Sequence, residues 1–227
     1  MKKNYKILFF GRKNDIYSEK ILCFLKKKFK NVSFFFSSKY GEKINKNIYS
    51  WKGDYILCFR SYLILPNKVI KNAQIAAINF HPGPPKYRGV GCLNYALYND
   101  EKEYGVTAHI MNSKIDYGKI LMVKRFKIKK NQTLDFILNQ THKYLYNIAM
   151  DFIKMIKNKS LNINKLSNKF KNEKWSRIIK KKKDLDNFYI LKKNMSLNKF
   201  NKKLRATITE KYKPYFIINK RKRFVVR

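Results

Sequence analysis

The chain has 227 residues, 44% of them hydrophobic and 15% aromatic, which supports one large core and excludes a wholly disordered protein. It carries 53 Lys and Arg against 14 Asp and Glu, a formal net charge of +39. No run approaches the roughly 18 apolar residues a membrane span needs, and the opening MKKNYKILFF meets charge too soon for a secretory leader, so a cytoplasmic location is expected.

YKILFFGR (5–12) is a short apolar run closed by glycine and predicts a buried first strand. Residues 15–29 predict an amphipathic helix with Tyr17, Ile21, Phe24, Leu25 and Phe29 on one stripe, weakened by Lys28 falling on it. NVSFFFSS (31–38) and DYILCFRSYLI (54–64) predict two further strands, and LPNKVIKNA a short helix started by proline. QIAAINF (74–80) is a fourth, almost wholly apolar strand, followed by a helix over 92–100. Strands over 105–111 and 119–128 lie too close for a helical crossover and predict an antiparallel edge. A long amphipathic helix over 133–158 takes Thr133 as its N-cap. Strands alternating with helices make the fold class α/β, a mostly parallel Rossmann-like sheet covered on both faces.

Beyond Asn158 the pattern loosens, which suggests a division into residues 1–158 and a smaller extension over 159–227. SNKFKNEKW (167–175) reads as a polar loop, 196–208 as a helix, and 214–227 as a hairpin around NKRK. The extension is strongly basic, with 23 Lys and Arg against 4 Asp and Glu. Lys, Asn, Ile, Phe and Tyr share A- and T-rich codons, so coding bias accounts for the overall charge without a polyanion partner; a polyanion groove is the alternative. Cys23, Cys58 and Cys92 are widely spaced and odd in number, which fits buried thiols in a reducing compartment and no metal site.

The rare residues gather in one place. INFHPGPPKYRGVGC (78–92) holds three of the five prolines, three of the eight glycines and one of the three histidines. It follows the fourth strand, and ligands in open parallel sheets sit at the carboxyl ends of strands. His81 stands at the strand tip with Asn79 two residues earlier on the same side. A second stretch, GVTAHIMNSKIDYGKIL (105–121), sets Asp116 in a tight turn between the two edge strands; a lone Asp there is ordinarily a turn residue.

The two stretches together resemble the folate-dependent formyltransferases, with Asn-x-His-Pro at Asn79, His81 and Pro82, and Asp-x-Gly at Asp116 and Gly118. The loop wording is most similar to that of the sugar N-formyltransferases. The resemblance implies formyl transfer from 10-formyltetrahydrofolate to an amine, with Asn79, His81 and Asp116 catalytic and no metal. The amide of Asn79 can donate to an oxyanion without titrating, His81 titrates near neutrality, and Asp116 can orient the imidazole. It also implies a folate slot near Arg60, Ser61, Tyr62, Leu63 and Gly118. His109 is expected to be structural or supporting, and His142 solvated. The implied acceptor is a nucleotide-linked amino sugar, such as a dTDP-4-amino-4,6-dideoxyhexose destined for a surface polysaccharide. Lys86, Arg88 and Arg205 are candidates for its phosphates, and Trp175 and Tyr215 for its base. The terminal hairpin suggests a homodimer. The alternatives are a methionyl-tRNA formyltransferase-like enzyme, although the residues after Asn158 are few for its barrel domain, or a non-catalytic basic RNA-associated protein on the same scaffold.

Overall fold

The computed structural model describes residues 3–130 and 132–225. β1 (Lys3–Arg12) lies inside the sheet, with Ile7, Leu8, Phe9 and Phe10 all buried. Their alternation feeds two cores: Ile7 and Phe9 face one side, Leu8 and Phe10 the other. α1 (Ile16–Lys28) starts at Asp15, whose carboxylate accepts from Ser18 N at 2.9 Å. Its buried stripe is Ser18, Ile21, Leu22 and Leu25, and Phe29 already belongs to β2 (Phe29–Ser37).

β3 (Gly53–Phe59) is shorter than the run over 54–64 predicts. Arg60 adopts φ 53°, a left-handed conformation that turns the chain out of the sheet. The predicted short helix is α3 (Asn67–Ile70) behind Pro66, and an unpredicted α2 (Lys46–Ser50) packs beside it. β4 (Ala73–His81), the two-residue β5 (Arg88–Gly89), α4 (Cys92–Tyr98), β6 (Glu103–Ile110) and β7 (Ile120–Lys127) follow. The main sheet runs β2-β1-β3-β4-β6-β7. The first four strands are mutually parallel, while β6 is antiparallel to both β4 and β7, which is the expected antiparallel edge.

α5 (Leu134–Lys157) begins at Thr133, which caps Phe136 N, and lays Leu145, Ile148, Ala149, Phe152 and Ile153 on the face shared by Phe9, Leu57, Ile78 and Phe80. Burying each such side chain contributes roughly 1.5–3 kcal/mol, so this helix anchors the sheet. No helix among the described residues is long and apolar enough to cross a membrane.

After α5 come α6 (Ile163–Lys169), β8 (Ile179–Lys180), α7 (Lys182–Phe188), α8 (Leu197–Thr207), β9 (Tyr215–Ile218) and β10 (Arg221–Phe224). The expected loop over 167–175 is in part helical, since Ser167–Lys169 close α6, whose N-cap is Asn162. α8 packs against α4, where Asn94 Nδ2 donates to Ala206 O at 2.7 Å. The hairpin turns through Asn219 and Lys220, both left-handed; Val226 and Arg227 of the expected hairpin lie outside the described residues.

Candidate active site

Register brings the two motifs together. Asn79 pairs with Cys58 on β3 and with His109 on β6. Ile78 and Phe80 point into the core, so Asn79 and His81 share the opposite face. The Pro–Gly loop that follows is pinned from below: Tyr104 Oη donates to Pro82 O at 2.9 Å and Thr107 Oγ1 to Gly83 O at 2.7 Å. Gly83 is required by proximity, because a Cβ there would stand 2.7 Å from His81 Nε2.

Asp116 enters from the β6–β7 connection with φ 45°. It is buried, and its Oδ2 accepts from Gly89 N at 2.9 Å and lies 3.3 Å from His81 Nδ1. Its Oδ1 lies 3.4 Å from Asn79 Nδ2 and 3.6 Å from His109 Nε2. One carboxylate thus touches both motifs.

Hydrogen-bond bookkeeping fixes the rings. His81 Nε2 donates to Tyr87 O at 2.8 Å, leaving Nδ1 toward Asp116. Burial opposes charge on His81, yet the adjacent carboxylate prevails and raises its pKa well above the usual value of 6.5. Burial likewise opposes charge on Asp116, but the charge and contact of His81 first, with His109 beside it, hold it well below the carboxylate range. The pair is an imidazolium against a carboxylate. His109 Nδ1 donates to Ile110 O at 2.8 Å, so the lone pair of Nε2 receives one hydrogen of Asn79 Nδ2 at 3.1 Å. The other amide hydrogen faces Asp116 Oδ1 at 3.4 Å, so His109 and Asp116 together hold the amide, a role for His109 that periodicity does not reveal.

Trp175 forms a wall of this site. Its indole crosses the rings of His109 and His81 at centroid separations of 5.0 and 5.8 Å, and Nε1 donates to Gly118 O at 2.7 Å. Gly118 has no room for a side chain, since a Cβ would strike Ile110 O. Beside it, Cys92 Sγ sits 3.7 Å from His81 Nε2.

The other expected contacts divide. Arg88 is buried and fully engaged: Nε donates to Asp116 O at 2.6 Å, Nη2 to Ile115 O at 2.7 Å and Nη1 to Ser176 O at 2.9 Å. It therefore braces the Asp116 turn and is not presented to a substrate phosphate. Lys86 pairs on the surface with Glu101 at 2.5 Å, Arg205 reaches Asp100 at 3.4 Å, and Tyr215 pairs with the segment around Tyr189 through Tyr215 N to Tyr189 O. None of these three touches Asn79, His81 or Asp116. Arg60, Ser61, Tyr62 and Leu63 form the loop at the tip of β3. There Arg60 pairs with Asp15, Tyr62 N donates to Ser37 Oγ at 2.8 Å, and Arg12 lies 4.0 Å over the Tyr62 ring. His142 is not solvated as expected: it is half-buried, and burial, then Arg60 and Arg12, push its pKa down to about 3.

The family model described as formyl transferase matches residues 12–153. The chain belongs to the formyl transferase family. A relative is the bifunctional polymyxin resistance protein ArnA of Wigglesworthia glossinidia brevipalpis, 41% identical over 83 residues, which are 36% of this chain and 13% of that protein. Another relative is the methionyl-tRNA formyltransferase of Mycoplasmopsis pulmonis, 34% identical over 80 residues, which are 35% of this chain and 28% of that protein. In structure the chain resembles a sugar N-formyltransferase from Shewanella sp FDAARGOS_354, with TM-score 0.76, 18% identity, and 97% of this chain and 96% of that one covered. It also resembles the N-formyltransferase from Helicobacter canadensis solved with folinic acid and dTDP-3-aminofucose, with TM-score 0.72, 20% identity, and 96% and 86% covered. These likenesses establish the fold, which extends over the basic C-terminal segment as well as the family-matched part.

Proposed function

We propose that the protein transfers a formyl group from 10-formyltetrahydrofolate to the amine of a nucleotide-linked amino sugar. The observation that carries this is the Asn79 amide, held between His109 Nε2 and Asp116 Oδ1 at the carboxyl end of β4. It stands in a chain of the formyl transferase family whose structural relatives include sugar enzymes over nearly the full length.

The residues fit a folate. At the tip of β3 the partly buried side chains of Leu63 and Met111 lie against the core that holds Leu65. Among the described residues, the backbone groups of Ile64 and Leu65 have no hydrogen-bond partner. Apolar walls with free backbone donors and acceptors suit a flat ring with polar edges. When bound, the cofactor supplies an electrophilic formyl carbon.

The chain's own groups do the rest. The Asn79 Nδ2 hydrogen that faces Asp116 Oδ1, in the longer of its two contacts, turns to donate to the oxygen on which negative charge develops. His81, kept charged by Asp116, places a positive group beside that oxygen, and releasing Tyr87 O frees its Nε2–H to donate as well. Asp116 is too acidic to take a proton at neutral pH. It orients His81 and can order a water that takes the amine's proton and passes it to the folate nitrogen that leaves.

For the acceptor, nucleotide sugars are favoured by the structural relatives. The exposed apolar side chains Ile217, Ile218 and Phe224 on the hairpin support a homodimer built there. The test is tetrahydrofolate release from 10-formyltetrahydrofolate with dTDP-, UDP- and GDP-linked amino sugars, and with methionyl-tRNA. Turnover with a sugar, lost in Asn79→Ala, supports the reading. Turnover with the tRNA alone replaces the acceptor, and no turnover with any acceptor refutes the reaction.

A further inference from the structure

A cavity of about 520 Å³ adjoins the site and shares two walls with it, Gly118 and Trp175. It is lined by four cationic side chains, Lys119, Lys171, Lys174 and Arg177. Its one carboxylate, Glu173, is already taken: Arg125 holds both oxygens, at 2.6 and 2.8 Å. Among the described residues none of the four cations lies in a salt bridge with a carboxylate. Like charges gathered round one hollow repel, and a multiply charged anion relieves the repulsion. Lysine is abundant all over this chain, so charge alone would mean little. Here it coincides with concavity and with the rings of Phe170 and Trp175, which offer flat apolar surface.

The cavity also lies within reach of the chemistry. A Cβ on Gly118 would stand 3.5 Å from His109 Nδ1, and His109 holds the Asn79 amide. Gly118 is thus a wall of the cavity and a direct neighbour of the ring that holds Asn79.

We propose that this cavity receives the nucleoside diphosphate of the acceptor, with Lys119, Lys171, Lys174 and Arg177 on the phosphates and Phe170 and Trp175 against the base. The assignment rests on the acceptor reading above. Its chemistry, an oligoanion joined to a flat ring, is shared by the glutamate tail of a folate, and the test separates the two.

Binding of dTDP, UDP, monoglutamyl folinic acid and its triglutamyl form is measured by calorimetry on the intact protein at fixed salt. Two charge-matched double variants are compared: Lys171→Ala with Arg177→Ala in this cavity, and Lys192→Ala with Lys199→Ala in a second cavity of similar volume. The expected result is a nucleotide Kd weakened at least about tenfold by the first pair and less than about twofold by the second. Lys174→Glu, at an exposed position without a described hydrogen bond, gives the same ranking if the double variant folds poorly. Equal weakening by both pairs means diffuse attraction to a highly charged chain and overturns the assignment. Unchanged nucleotide binding in the first pair overturns it too, as does loss confined to triglutamyl folate. Monoglutamyl folinic acid bound by all three proteins leaves the formyl-transfer reading standing whatever the nucleotides do. Its absence, with nucleotide binding still lost in the first pair, removes that reading and leaves the cavity.

Discussion

Arg88 holds Asp116 by its backbone, donating from Nε to the Asp116 carbonyl at 2.6 Å while its two terminal nitrogens take the carbonyls of Ile115 and Ser176. A lysine has a single terminal nitrogen and cannot serve three divergent carbonyls. Arg88→Lys is expected to cost about 2–3 kcal/mol of stability, because buried carbonyls lose charged donors. Urea denaturation would show it, and an unchanged midpoint would contradict the bracing role.

The Asn79 amide is expected to be worth roughly 100- to 1000-fold in kcat, the usual loss for one oxyanion donor. Asn79→Ala should leave the Kd for folinic acid nearly unchanged while turnover collapses. Near-normal turnover would remove Asn79 from the mechanism.

His109 holds that amide at 3.1 Å, and the proposed mechanism gives it no contact with the acceptor. His109→Leu is therefore expected to lower kcat by about tenfold or more with little change in KM for the acceptor. A change in KM alone would show that the ring contacts substrate.

The His81–Asp116 pair sets a pH window for stability. His81 has a folded pKa above 6.5, so its contribution is complete below that pH and is lost as pH rises through the raised value. Asp116 has a folded pKa below 3.8, so its contribution is present above that pH and fades as pH falls through the lowered value. As pH rises above 6.5 stability should decline. Asp116→Asn, which leaves His81 buried without its counter-charge, should flatten that limb. An equal slope in both proteins would rule the pair out as its source.

His142 works in the opposite direction. Its pKa near 3 means that below pH 6.5 the unfolded chain binds a proton the folded one refuses, so stability falls with acidification. In His142→Gln the loss between pH 6 and 4 should be shallower, as read from urea midpoints at each pH.

The sheet was legible because its central strands are apolar on both faces, and the grouping of Asn79, His81 and Asp116 because their two stretches resemble formyltransferase motifs; residue type alone read Asp116 as a turn residue. Sequence pattern failed where tertiary partners decide. Lys86, Arg88 and Arg205 announce charge but not the Glu101 carboxylate, backbone carbonyls and Asp100 that occupy them. α7 has no buried residue, so no apolar stripe marks it within a run of lysines. His142 looked solvated because its neighbours in sequence are polar, whereas Arg60 and Arg12 come from distant strands. Arg60 ends β3 early through a backbone angle that residue type does not foretell.

β5 and β8 pair Gly89 with Lys180, and Ser176 N donates to Pro85 O at 2.9 Å, stitching the Pro–Gly loop to the stretch that carries Trp175. The Pro–Gly loop and the stretch that carries Trp175 are consequently one unit, not two separable modules. Grafting another family member's C-terminal segment onto this sheet would replace the indole against His81 and His109 along with whatever the graft was meant to recognise.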